Sequence, residues 1–324
     1  MFKRLFQVVR RGVYGFLRLG PVNAFGRIAL SKIHSERIYK GRYVFPVRGE
    51  LRIRYPESHD FFMCSDGSDA IASRLYFGGV HGYEGSTSRV LTRFFEQGGI
   101  FFDIGANSGI YSLMAATFPQ TIEVHAFEPM VTALNILQNN VRKNQFSKVR
   151  VNKLAIGDHE GTLELAVPRG IVLPTGSSAV GSGKFEDSSE LFSEKVLLTT
   201  LDFYIERNGI KACDLIKIDT ETTEPAVLRG ASKTIARFRP KIVCEIIRES
   251  AAREIESLCK DFGYDYYHLT EQGPVQVTHL RPDLVNMNFL FLPANTPRHI
   301  EVTSPAAART DIDTRCPGWL SSPQ

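Results

Sequence analysis

The chain has no CxxC pair. Its five cysteines, Cys64, Cys213, Cys244, Cys259 and Cys316, are odd in number and scattered. That speaks against a disulfide framework or a structural zinc site, and it fits a reducing, cytoplasmic compartment. No apolar run approaches the roughly 20 residues of a spanning helix. Arg10 and Arg11 interrupt the first apolar stretch, so no continuous signal-peptide core is present. No long repeat is evident. The Asp-x-Asp of metal-dependent glycosyltransferases occurs only as Asp311-Ile312-Asp313, in an aperiodic final segment.

What is present is a chain of 324 residues, 43% hydrophobic and 23% charged, enough for a buried core in one large domain or two modest ones. The net charge of +4 is unevenly spread. Residues 1–54 hold 13 Lys/Arg against 2 Asp/Glu, and the remainder is net acidic. Phe2, Leu5, Phe6, Val9, Val13, Phe16 and Leu17 fall at helical spacing among Lys3, Arg4, Arg10, Arg11 and Arg18. Residues 1–20 therefore read as a basic amphipathic helix, suited to peripheral contact with an anionic membrane or to packing on a protein surface. Nucleic acid is not expected as a partner, because no recognition module accompanies the charge.

Residues 1–40 read as helical, and 41–56 as strands around an Arg48-Gly49 turn. A helix is expected over Ser86–Phe95. Strands and helices then alternate: Ile100–Ile104 strand, Ile110–Phe118 helix, Ile122–Phe127 strand, Val131–Lys143 helix, Val149–Ile156 strand. This alternation predicts a parallel sheet in an α/β fold. A strand at Thr162–Val167 precedes a Gly/Ser/Pro-rich stretch, 168–195, expected as a loop or lid. Val196–Leu201 is a strand, with Asp202 expected to cap the next helix. Asp214–Ile218 (strand), Pro225–Phe238 (helix), Lys241–Ile246 (strand), Ala251–Phe262 (helix), and strands at Tyr266–Leu269 and Phe289–Leu292 follow. The final segment, 294–324, is expected to be disordered.

The stretch FFDIGANSGIYS, Phe101–Ser112, puts an aspartate where a parallel sheet binds its ligands, at the carboxyl end of a strand. Gly105 and Gly109 allow a tight turn around Asn107. The usual occupant is a pyrophosphate held by G-x-G-x-x-G, but that spacing is missing here and Asp103 would repel a phosphate. S-adenosylmethionine fits better: Asp103 faces its ammonium side and loop N–H groups take its carboxylate. Glu128 ends the second strand in HAFEP and is placed to accept both ribose hydroxyls. Asp158, in LAIGD after the third strand, is placed to accept from the adenine amino group. Each acid taken singly is also explained as a turn or cap residue.

These segments resemble the FkbM-type S-adenosylmethionine-dependent methyltransferases. The resemblance rests on FFDIGANSGIYS, HAFEP with LNILQNNVRKN, LAIGD, and LIKIDTETTEPAVLRGA with IVCEI. It runs from about Leu75 to Pro293, and YFGGVHGYEG is its weaker leading part. It implies a Rossmann-like class I methyltransferase fold: seven strands, mostly parallel, the last antiparallel. Here that domain, 75–293, follows a helical basic extension, 1–74. It also implies O-methylation of a hydroxyl on a sugar, glycolipid or secondary metabolite. The family run has Glu-Gly where this chain has Glu221-Thr222, and a β-branched residue resists positive φ, so the turn is expected to differ.

An alcohol needs a general base or a metal to become nucleophilic. Asp219, at the tip of the fourth strand, is the leading catalytic candidate, with Glu221, Glu224 and Glu245 expected nearby. One of these acids acts as base, or Asp219 and Glu245 hold a divalent metal ion. Alternatively they only fix turns or pair with Lys217 and Arg248. Lys217 could orient the acceptor; His81 and His268 are further base candidates, and His125 is expected in the core. Two competing functions remain at this level: an NAD(P)-binding oxidoreductase and a non-catalytic S-adenosylmethionine-binding protein.

Overall fold

The computed structural model describes residues 16–17, 19–31, 45–55, 59–67, 69–168, 178–179 and 191–294. The expectations for residues 1–15, for most of the 168–195 stretch and for the tail after Ala294 lie outside them. Among the described residues, no helix is long and apolar enough to cross a membrane.

The first described helix is α1, Gly20–Ser31, and before it Phe16 and Leu19 are more than half exposed. The expected turn at Arg48-Gly49 is instead the start of one strand, β1, Arg48–Ile53, which pairs antiparallel with β2, Phe61–Asp66. Asp69 then caps α2, Ala70–Gly78, by accepting from the amides of Ile71 and Ala72 at 2.8 and 3.1 Å. A short 3-10 turn over Gly79–Gly82 leads to α3, Gly85–Gln97.

The main sheet is built from β3 (Gly99–Ile104), β4 (Thr121–Phe127), β5 (Val149–Asn152), β10 (Leu215–Ile218), β11 (Lys241–Glu245), β12 (Tyr264–Thr270), β13 (Gly273–Val277) and β14 (Asn288–Pro293). The order across it is β13-β12-β14-β11-β10-β3-β4-β5. β5, β4, β3, β10 and β11 run parallel, and β14 is antiparallel to both β11 and β12. These are the seven expected strands with the last one antiparallel. β13 is an eighth, hairpin-paired to β12, which the polar sequence PVQV concealed.

Alternating side chains give the sheet two apolar faces. Phe101, Val124, Ala126, Leu215 and Val243 meet α3, α4 (Ile110–Ala116) and α5 (Val131–Lys143) on one face. Leu51, Ile53, Phe61 and Met63 of the β1–β2 hairpin belong to that same core. Phe102, Ile104, Phe127, Ile216, Ile218 and Ile242 meet α6 (Leu201–Arg207), α7 (Glu224–Arg229), α8 (Ser232–Phe238) and α9 (Glu249–Cys259) on the other. Each fully buried Phe contributes about 2–3 kcal/mol. The exposed edge of β2 is closed by amides of α5: Asn140 Oδ1 accepts from Cys64 N and Asn144 Oδ1 from Phe62 N, both at 2.7 Å.

A smaller sheet, β6 (Ala155–Ile156), β9 (Leu191–Thr199), β7 (Gly161–Pro168) and β8 (Ser178–Ala179), lies beyond β5. The expected single strand Val149–Ile156 is thus divided between two sheets at Lys153-Leu154. The expected loop ends earlier than 195, because β9 begins at Leu191 and Glu194 already accepts from the Val131 amide that opens α5. The expected helix Pro225–Phe238 is two helices broken at Gly230-Ala231. Asp202 does not cap its own helix, where Thr200 is the N-cap. It caps α8, accepting from Lys233 N and Thr234 N at 3.0 and 2.7 Å.

Candidate functional site

β3 has β4 on one side and β10 on the other, so the strand order reverses between β3 and β10. A crevice opens there, at the carboxyl ends. The crevice, with its mouth open to solvent, spans ≈ 910 Å³. Asp103, Gly105, Asn107 and Glu128 line it on the β3–β4 side, Lys217, Asp219 and Glu221 on the β10 side, and Met130, Ala155, Ile156 and Leu165 form an apolar wall. Among the described lining residues there are four acids and a single Lys or Arg, Lys217.

The loop after β3 is held from within. Gly105 N and Ala106 N both donate to Phe127 O, at 3.0 and 2.9 Å, and Gly109 N donates to Ala106 O at 2.8 Å. Asn107 N donates to Glu128 Oε2 at 2.9 Å. These four amides are therefore engaged with the protein, contrary to the expectation that loop N–H groups await a carboxylate. Gly105 has φ +83, and a Cβ there would collide with the Asp219 carbonyl, so only glycine lets the two strand ends approach. Asn140, fully buried, ties the loop to α5 by donating to Ser108 O at 2.8 Å.

Asp103 is 1% exposed and accepts from Ser112 Oγ at 2.6 Å. Burial pushes its carboxyl up to about 6, against the pull of Ser112 and the Lys217 charge. Glu128 is likewise buried and is pushed up to about 7, although Met130 N and Asn107 N donate to it. Two buried acids, neither of them in an ion pair among the described residues, in a crevice almost free of basic groups suit a cationic ligand without phosphates. Asp158 is placed elsewhere. It lies outside the crevice lining, beside His159, and takes Arg229 Nη2 at 2.9 Å and Nε at 3.1 Å. The wall at that end of the crevice is apolar.

On the other side, Lys217 is fully buried, its ammonium 3.3 Å from Asp219 Oδ2 and 5.7 Å from the centre of the Tyr111 ring. Burial alone would lower its pKa, but the charges of Asp219, Glu84 and Glu245 outweigh that and raise it. Asp219 is 23% exposed and faces the crevice. Glu221 lines it as well. Glu224 does not: it is fully buried at the start of α7, and its Oε1 accepts from Thr220 N, Thr220 Oγ1 and Thr222 N at 3.1, 3.2 and 3.0 Å. It shapes the turn that carries Asp219. Thr222 has φ +92, in the left-handed region that favours glycine, and its amide is held there by the Glu224 carboxylate. Glu245, 5% exposed, is pushed up to about 10 by burial and then by Asp219.

Sequence reasoning did not find Glu84. It has φ +43 just ahead of α3, and its Oε2 accepts from Tyr111 Oη at 2.6 Å and Asn288 Nδ2 at 3.0 Å. Glu84, Asp219 and Glu245 each bring one oxygen within 4.8 Å of the others. The signal was the stretch YFGGVHGYEG, which supplies Tyr83 to the crevice and Glu84 to this cluster. His81 and His268 do not line the crevice; His268 Nε2 meets Asn286 O at 2.7 Å. His125 is a core residue, bonded to Tyr204 Oη at 2.9 Å and stacked on Phe102.

Strand order, an antiparallel strand beside β11, and an acid-lined crevice at the switch point define a Rossmann-like class I methyltransferase using S-adenosylmethionine. The family model described as Methyltransferase FkbM domain matches residues 103–266, and the chain belongs to this family. It is 28% identical over 195 residues to Methyltransferase sdnD of Sordaria araneosa, covering 50% of this chain and 72% of that one. It is 25% identical over 205 residues to 31-O-demethyl-FK506 methyltransferase FkbM of Streptomyces tacrolimicus, covering 56% and 77%. Among solved structures, methyltransferase FkbM from Methylobacillus flagellatus KT matches at 20% identity and a TM-score of 0.38, over 60% of this chain and 43% of that protein's length. A SAM-dependent methyltransferase from Agrobacterium tumefaciens matches at 14% identity and a TM-score of 0.42, over 78% and 74%.

Proposed function

We propose that the chain is an O-methyltransferase acting on a hydroxyl of a carbohydrate, glycolipid or secondary metabolite. The observation that carries this reading is the placement of Asp219: a partly exposed carboxylate at the tip of β10, facing the donor crevice and paired with a buried lysine. When bound, S-adenosylmethionine supplies an electrophilic methyl group on its sulfonium. Asp103 and Glu128 hold the donor side, and the wall of Met130, Ala155 and Ile156 receives its flat base. Asp219 accepts the proton of the acceptor hydroxyl, and Lys217 fixes the direction of that carboxylate. Tyr83 and Glu221 bound the same space and keep the hydroxyl aligned.

The relative named for 31-O-demethyl-FK506 supports an oxygen as the acceptor atom. A dinucleotide oxidoreductase is disfavoured by the single, already paired lysine in an otherwise acidic crevice. A purely binding role is disfavoured by Asp219, which the turn at 220–223 leaves facing the crevice. The basic excess in residues 1–54 suits an anionic or lipid-linked acceptor. The test is incubation with methyl-labelled S-adenosylmethionine and glycan, lipid or metabolite extracts. Label recovered as a methyl ether supports the reading, whereas label confined to nitrogen or carbon, or none in any extract, overturns it.

A further inference from the structure

We propose that Glu84, Asp219 and Glu245, with the amide oxygen of Asn288, form a binding site for one divalent cation of the Mg²⁺/Mn²⁺ class. Three separate elements bring the carboxylates together, and a fourth sets the Asn288 amide against Glu84. Glu84 precedes α3, Asp219 follows β10, Glu245 ends β11, and Asn288 begins β14 as the strand partner of Glu245. One oxygen from each carboxylate lies within 4.8 Å of the other two. Around an ion with bonds of about 2.1 Å, ligand oxygens stand roughly 3–4 Å apart, so a small inward movement of side chains closes the shell.

The acids alone would not make a site. Two buried oxygens at this place have no hydrogen-bond partner among the described residues. Asn288 is 4% exposed and donates its Nδ2 to Glu84 Oε2, yet its Oδ1 is buried with no hydrogen-bond partner. Glu245 is 5% exposed, and its Oε2 is also buried without a partner. A buried oxygen left unpaired is destabilising, more so on a charged group, and a cation held by both would satisfy them together. Lys217 does not meet this need, since its ammonium reaches Asp219 Oδ2 and is one cation among three carboxyl groups. The donor set is all oxygen, which selects a hard ion over zinc or copper. The ion's role, presenting an acceptor hydroxyl beside Asp219, rests on the proposed O-methyl transfer; the existence of the site does not.

The experiment uses the full chain stripped with a chelator and titrated with Mn²⁺, the free ion being followed by electron paramagnetic resonance. Donor binding is measured separately by calorimetry with S-adenosylmethionine. Wild type is expected to take up about one equivalent of Mn²⁺, competed by Mg²⁺. Glu245→Gln and Glu84→Gln, which keep size and shape, should each weaken uptake about tenfold or more. Glu123→Gln, an acid paired with Arg150 away from the cluster, should leave uptake unchanged. No stoichiometric uptake by wild type up to about 1 mM, the weak end of known oxygen-ligated sites, overturns the site. So does equal affinity in wild type and the folded Glu245→Gln or Glu84→Gln proteins. A chain that binds Mn²⁺ but not S-adenosylmethionine would sink the methyltransferase reading and leave the metal site standing.

Discussion

Asp103→Asn is the most informative single change, because the structure gives its effect a pH signature. The carboxyl sits at about 6, raised by burial, and the proposed donor presents positive charge to it. Binding should therefore require the ionised form, whose fraction is about nine-tenths at pH 7 and one-tenth at pH 5. The dissociation constant for S-adenosylmethionine is expected to rise about tenfold over that interval in wild type from Asp103 alone. In Asp103→Asn binding should already be weak at pH 7, and the step between pH 7 and 5 should shrink by about tenfold relative to wild type, leaving only the part due to Glu128. Stability without ligand runs the other way. The folded state holds this proton more tightly than the unfolded chain does, so the contribution is complete below about pH 4 and is lost as pH rises through about 6. The amount is on the order of 3 kcal/mol. Calorimetric titrations at pH 5, 6, 7 and 8 on both proteins, with melting curves alongside, measure both slopes. Equal affinity across the range in wild type, or equal affinity in wild type and Asp103→Asn at pH 7, would refute the reasoning.

Asp219→Asn is expected to leave donor affinity within about twofold and to lower kcat by about 10²–10⁴-fold, the usual range for loss of a general base; calorimetry and single-turnover rates on the identified acceptor check the split. Thr222→Gly removes a β-branched side chain from φ +92 and should stabilise the fold by about 1 kcal/mol, read as a higher denaturant midpoint with an unchanged slope.

Much of this architecture was legible because the sheet is regular. Val131–Lys143 is visible from its apolar spacing, and β3 and β4 are short strands whose tips, Asp103-Ile104 and Phe127, line the crevice. What escaped was whatever tertiary contacts decide. The break between β5 and β6 follows from the second sheet claiming Ala155 and Ile156, which pair with Leu198 and Thr199 of β9. Gly230 looks like one more helical residue in sequence. A Cβ there would meet the Gly157 carbonyl, and the chain breaks at that close approach. Asp103 and Glu128 could be placed at strand tips from spacing alone, but Asp158 could not, because its partner Arg229 lies 71 residues away. Glu224 read as one acid among four; only its three hydrogen bonds show that it builds the turn and does not face the crevice. Glu84 and Asn288 stand 204 residues apart, and no local pattern announces their contact.

The central claim is that the crevice between β3 and β10 receives the methyl donor with its amino-acid end at Asp103. A crystal structure with S-adenosylhomocysteine tests it most directly. The account predicts the amino group beside Asp103 and Gly105, the ribose at Glu128, and the base against Ala155 and Ile156. A ligand seated with its base at Asp103, or outside this crevice altogether, would contradict it.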